Sequence, residues 1–196
     1  MKQLLILMLS LIALTSCSQK EKEPASKKDA ALSVIYNRKS VRSYTSQPVS
    51  EEDVQTLLKA GFSAPSAKDI RPWELIVLDN RAALDKLAED GLKGSRVILH
   101  EAPLAIIVCG DTVKSTRWSL DCSAVTENIL LAAEASGLGA VWLAVFPWRD
   151  RIERVVKTLD LPPNILPLAV VAVGHPKGEF TPKNKYDEKK IHWNKW

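Results

Sequence analysis

Four short apolar runs divide the chain: residues 73–78 (WELIVL), 104–109 (LAIIVC), 140–146 (AVWLAVF) and 168–173 (LAVVAV). Each reads as a strand. The runs are continuous, so both faces of the sheet they form are covered. Between them the apolar positions fall at helical spacing. Residues 30–37 form a short helix. Ser50 and Asp53 make a capping-box pattern ahead of Val54, Leu57, Leu58 and Phe62. Asn80 caps a helix that ends near Gly91. Residues 119–136 form a long helix that is apolar almost all round, which requires burial in a core or against another subunit. Gly137-Leu138-Gly139 stops it, and residues 147–159 form a last helix. The pattern predicts one domain of three layers, helix–sheet–helix, around a mixed or parallel sheet.

The first residues follow a different rule. Lys2 precedes an apolar run at 4–14 (LLILMLSLIAL), too short to cross a bilayer as a finished helix but suited to a secretory signal. Leu14-Thr15-Ser16-Cys17 resembles a bacterial lipobox. On that reading 1–16 is a lipoprotein signal peptide and Cys17 carries the lipid. Residues 17–29 are then a polar tether, and 30–196 are the folded domain. The expected location is the bacterial cell envelope, with a lipid anchor to the membrane.

Composition narrows the classes. The chain has 196 residues and a net charge of +4, too small an excess to argue for nucleic acid. Three cysteines do not make a disulfide scaffold, and Cys109 and Cys122 read as buried thiols. His100, His175 and His192 lie far apart, so no metal site is expected. Gly137-x-Gly139 follows a helix and precedes a strand, the reverse of a dinucleotide fingerprint. No phosphate-loop or serine-hydrolase motif is present.

Three segments carry candidate chemistry. Arg38-Lys39-Ser40-Val41-Arg42 offers guanidinium groups and a hydroxyl suited to phosphate. Lys183 and Lys185 follow Pro182 near the other end. Alone, each cluster reads as a solvated face, the usual role of a charge run; if the termini meet, together they suit one dianionic phosphate. Residues 63–73 (SAPSAKDIRPW) form a turn between helix and strand with backbone donors and a hydroxyl.

Taken in order, these segments resemble the FMN-dependent nitroreductase family. Arg38 to Arg42 resembles its R-[RK]-S-x-[RK] motif, and Ala64-Pro65-Ser66-Ala67 through Arg71-Pro72-Trp73-Glu74 its A-P-S…P-W-x-F block. Residues 121–142 resemble its long interface helix and following strand. Val173-Gly174-His175-Pro176 with Pro182-Lys183-Asn184-Lys185 resembles its closing motif.

The resemblance implies an α+β fold with a mixed central sheet, an interlocked homodimer, and FMN at the subunit interface. Arg38, Lys39, Ser40 and Arg42 would hold phosphate, ribityl chain and pyrimidine edge, and Lys183 and Lys185 would close on the phosphate. Pro65, Ser66, Ala67 and Asp69 would approach from the other subunit. Leu143 and Ala144 would lie along the ring. NAD(P)H would supply electrons in ping-pong fashion to a nitroaromatic, quinone or related acceptor, with no catalytic side chain. Trp118 is the candidate substrate contact, its alternative being a packed residue. Trp193 and Trp196, two aromatics on a polar tail, would dock the tail on the partner or else be disordered. Asp69 stands where the family has Asn and Arg71 where it has Gln, which suggests a swapped ionic pair. The alternative function is an envelope flavin-binding lipoprotein that draws electrons from another carrier or has little NAD(P)H turnover.

Overall fold

A computed structural model of the protein describes residues 26–196. The expected signal peptide, Cys17 and residues 17–25 of the expected tether lie outside the described residues. Six α-helices and four strands follow in chain order: α1 Lys27–Asn37, α2 Glu51–Phe62, β1 Trp73–Leu78, α3 Arg81–Lys86, α4 Arg96–Glu101, β2 Leu104–Asp111, α5 Trp118–Ala135, β3 Gly139–Ala144, α6 Arg149–Leu159 and β4 Ile165–Gly174. None of the described helices is long and apolar enough to cross a membrane.

The strands lie in the order β1-β2-β4-β3, and every neighbouring pair is antiparallel. The expectation of a mixed or parallel sheet was drawn from the continuous apolar runs. What those runs require is two covered faces, and helices here cover both faces of an antiparallel sheet. Leu104, Ile106 and Val108 of β2 face Leu57 of α2 and Val125 and Ile129 of α5. Ala105, Ile107 and Cys109 face Leu84 of α3, Leu99 of α4 and Val155 of α6. Pro167 sits inside the central strand β4 beside a bulge in β4 itself, where Ala169 pairs with Val108, Pro167 with Cys109, and Leu168 is the extra residue.

Local signals set most element ends. Ser50 accepts the Asp53 amide at 3.0 Å, and Asn80 accepts that of Ala83 at 2.9 Å. α1 starts at Lys27, three residues ahead of the expected boundary, because Ser26 accepts the Asp29 amide at 3.1 Å. A turn of π-helix at Leu87–Gly91 continues α3, and α4 follows it. The sequence pattern did not predict α4.

The parallel element is the segment after α1. Ser40 forms an isolated parallel bridge with Ala140, and the Val41 amide donates to the Ala140 carbonyl at 3.0 Å. A Cβ on Gly139 would lie 2.6 Å from Val41 Cγ1, so the segment sits this close only because residue 139 is glycine. Tyr44 is buried, with its hydroxyl 2.7 Å from the Val41 carbonyl and 3.1 Å from that of Ala172. Glu101 accepts from the Ser43 hydroxyl at 2.7 Å and the Tyr44 amide at 3.1 Å. The Ser43 bond, then the Tyr44 amide, hold the Glu101 carboxyl below its ordinary range. Residues 40–44 are thereby fixed along the β3 edge.

Candidate functional site

The two ends of the described chain meet. Arg38, Lys39, Ser40 and Arg42 line a cavity of about 360 Å³ together with Phe180, Thr181, Lys183 and Lys185. The condition set by the sequence, that the basic clusters come together, is met. Two of the cations are already paired with α5: Arg38 with Glu127 at 3.1 Å and Lys39 with Glu134 at 2.9 Å. Among the described residues, Arg42, Lys183 and Lys185 form no ion pair. The cleft thus has three uncompensated positive charges and a hydroxyl, a donor set that suits a phosphate dianion.

The second segment is the loop between α2 and β1. Lys68, Asp69 and Arg71 adopt left-handed backbone conformations, with φ of 56°, 55° and 52°. Each such residue costs about 1 kcal/mol or more, so the loop must be held by bonds that offset it. It is held in three places. The Ala67 amide donates to Asp121 Oδ1 at 2.9 Å, and the Arg71 amide donates to Ser66 Oγ at 3.0 Å. Arg71 also grips Asp69 with two guanidinium N–H groups, Nε reaching Oδ1 at 2.7 Å. This is the swapped pair that the sequence suggested. The Arg71 bond holds the Asp69 carboxyl below its ordinary range. Pro65 and Asp69 are exposed, and Ser66 and Ala67 are half-buried.

The third segment is the end of β3. Leu143 sends its side chain into the core on the α3–α6 side, so only its backbone is available to a ligand. Ala144 is half-buried, and its carbonyl accepts from Arg151 Nη1 at 2.9 Å.

Trp118, the candidate substrate contact, is a packed residue in this structure. It is 8% exposed and belongs to the core under α5. A Cβ on Gly110 would come within 2.6 Å of its ring, and Phe146 meets it edge-on at 5.1 Å between centroids. Trp193 and Trp196 are 83% and 98% exposed, so one chain offers them no docking surface. Burial pushes the Cys109 and Cys122 thiols up to about 12, which removes them as nucleophiles. No cluster of metal-binding side chains occurs among the described residues.

Sequence reasoning missed four residues that shape these segments: Asp121, Glu127, Glu134 and Arg151. Glu127 and Glu134 carried a usable signal, since carboxylates seven residues apart in an otherwise apolar helix share one face. Asp121 and Arg151 carried none, because their partners are backbone groups far away in sequence.

The segments attach to different turns of α5. The basic cleft is tied to Glu127 and Glu134 and the strained loop to Asp121. Six and thirteen residues of helix separate the two cleft anchors from Asp121, about 9 and about 20 Å along the axis.

The sequence profile of the "Nitroreductase family" matches residues 35–97 and 90–175. A candidate NADH dehydrogenase/NAD(P)H nitroreductase of Archaeoglobus fulgidus is 39% identical over 175 residues, covering 86% of this chain and 99% of that protein. A crystal structure bearing the same description, from Parabacteroides distasonis, is 54% identical with a TM-score of 0.81. That match covers 85% of this chain and 98% of the other. An FMN-dependent nitroreductase from Clostridium difficile is 30% identical with a TM-score of 0.79, covering 84% and 99%. The chain belongs to the nitroreductase family. It is an oxidoreductase with that family's α+β fold.

Proposed function

We propose that two copies of this NAD(P)H-dependent oxidoreductase bind FMN between them and pass two electrons from NAD(P)H to a nitroaromatic, quinone or related acceptor. One observation carries the reading. The basic cleft and the strained loop attach to different turns of α5, and in the proposed dimer a second copy brings its loop to the first copy's cleft. The relatives' descriptions as NAD(P)H nitroreductases and as an FMN-dependent enzyme support the same cofactor and donor.

The residues present fit FMN. Lys183, Lys185 and Arg38 would hold the phosphate, and Ser40 and Lys39 the ribityl chain. Arg42 would sit at the pyrimidine edge, where its fixed charge favours the anionic reduced ring. Pro65, Ser66, Ala67 and Asp69 would reach the ring from the partner, and the backbone of Leu143 and Ala144 would border it. FMN supplies the two-electron chemistry when bound. The protein's part is to bind, orient and shield, and no side chain is assigned as an acid or base.

The location reading is part of this proposal. Lys2, the apolar run at 4–14 and Cys17 in its lipobox context support a lipoprotein anchored in a bacterial envelope. NAD(P)H is made in the cytoplasm, so an exported enzyme that does not meet it would draw electrons from another carrier. That is the second reading. Palmitate labelling tests the anchor: label lost in Cys17→Ala supports it, and label retained sinks it. For the function, the domain from Ser18 onward is purified, and its absorbance and solution mass are measured. A yellow dimer that releases FMN on denaturation and is reduced by NADH or NADPH is expected. Reduction by dithionite alone favours the second reading, and a colourless protein that also rejects added FMN overturns both.

A further inference from the structure

The aromatic side chains beyond β3 are unevenly buried. Trp118 is enclosed, but Phe146 is 37% exposed and Trp148 is 47% exposed. Both lie within four residues of Ala144. Trp118 backs the Phe146 ring edge-on and fixes its angle. Arg151 lies over the Trp148 ring, 4.5 Å from its centroid, and one of its N–H groups is spent on the Ala144 carbonyl. That leaves a guanidinium held in place by an aromatic face and a carbonyl.

The charge here is uncompensated. Among the described residues, Arg151 forms no ion pair, nor do Arg149 beside Trp148 and Arg117 beside Trp118. The one carboxylate in the first turn of α6, Asp150, is taken by Arg154 at 2.8 Å. Exposed rings with spare guanidinium charge match a planar ligand that carries an anionic group.

We propose that Phe146, Trp148 and Arg151 form the electron-acceptor subsite, and that it selects aromatic acceptors bearing a carboxylate over neutral ones. The assignment rests on the reading above, in which the end of β3 borders the flavin ring. The substrate contact passes from Trp118 to the two exposed rings, with Trp118 as a positioning residue behind Phe146. An acceptor packed on the exposed Trp148 ring brings its carboxylate to the guanidinium of Arg151.

The test uses the flavin-loaded protein with 4-nitrobenzoate and 4-nitrobenzamide, which differ in charge and hardly in shape. One charge-assisted contact predicts a KM about tenfold lower for the benzoate. The preference shrinks as salt is raised. It disappears in Arg151→Gln and returns in part in Arg151→Lys, while Trp148→Ala raises KM for both acceptors. Equal KM values for the two acceptors in the wild-type protein overturn the proposal. So does a Trp148→Ala variant that keeps its FMN and both KM values. A preparation without flavin, or with flavin that NAD(P)H cannot reduce, instead overturns the underlying reading and removes the subsite with it.

Discussion

The amide of Ala67 donates to the buried carboxylate of Asp121 at 2.9 Å, and so ties a strained loop to the first turn of α5. Asp121 Oδ2 also faces the Ser115 hydroxyl at 3.4 Å. The loop holds three left-handed residues, and Asp121 is its anchor on the helix. Asp121→Ala leaves the Ala67 amide without its acceptor and costs about 1–3 kcal/mol. Asp121→Asn keeps an acceptor oxygen and costs less. Denaturant unfolding reads the stability, and FMN titration reads the loop. Equal losses for the two variants would remove the anchor role.

Asp69 and Arg71 act as one unit, since each guanidinium N–H that reaches the carboxylate also fixes the turn between them. Asp69→Asn and Arg71→Gln are each expected to weaken FMN binding. The double variant, which has the residues usual in the family, is expected to lose less than the sum. Additive losses in a titration of the three variants would show that the two side chains act separately.

Gly139 sets the seat of residues 40–44, the segment proposed to hold the cofactor. In Gly139→Ala the new methyl meets Val41 Cγ1 at 2.6 Å and Val41 Cβ at 2.7 Å. Overpacking of this kind costs about 1–3 kcal/mol. It should lift Ser40 and Arg42 off β3 and weaken FMN binding at the same time. Val41→Ala in the same chain removes the Cγ contacts and keeps the Cβ contact, so rescue is expected to be partial. Unaltered stability and affinity in Gly139→Ala would contradict this packing.

His100 gives the fold a pH dependence. Its Nδ1 lies 2.8 Å from Asp85 and its Nε2 2.9 Å from Glu89, joining α4 to α3 and the π turn. The Asp85 bond, then the Glu89 bond, raise the imidazole above its ordinary value of 6.5. A raised folded value means the contribution is complete below about 6.5 and fades as pH rises through the folded value. Melting temperature should therefore fall across that window in the wild-type protein, and fall less in His100→Gln. Parallel curves for the two proteins would exclude His100 as the source.

The thiols make a chemical prediction. With both pushed up to about 12 by burial, iodoacetamide at pH 8 should leave the folded domain from Ser18 onward unmodified. Intact mass spectrometry should show two adducts after denaturation, at Cys109 and Cys122. Adducts on the native protein would show that the α5–β2 packing opens.

Much of the fold was legible because its signals are local. Residues 73–78 were read as a strand and are β1, and the Ser50 and Asn80 caps lie where their side chains predicted. Strand direction was not legible, since a run buried on both faces has the same composition in either orientation. α4 has six residues, too few to show a period. The basic half of the site was legible as two charge clusters, and only the fold showed that they adjoin. Of the two readings of Trp118, substrate contact or packed residue, the position before a helix could not choose, because it does not reveal the Gly110 surface beneath the ring. Asp121 and Arg151 act through the amide of Ala67 and the carbonyl of Ala144, which leave no mark in the sequence.

The attachment of cleft and loop to different turns of α5 has a genetic corollary. On the proposed assembly, each site takes its cleft from one copy and its loop from the other. A chain damaged at Arg42 and a chain damaged at Asp121 are each defective as homodimers. Co-expressed, they form a mixed dimer in which one site collects both lesions and the other collects none. Random pairing would then restore roughly a quarter of all sites. Two defective alleles would complement each other within one cell, as they could not if each chain carried its whole site alone.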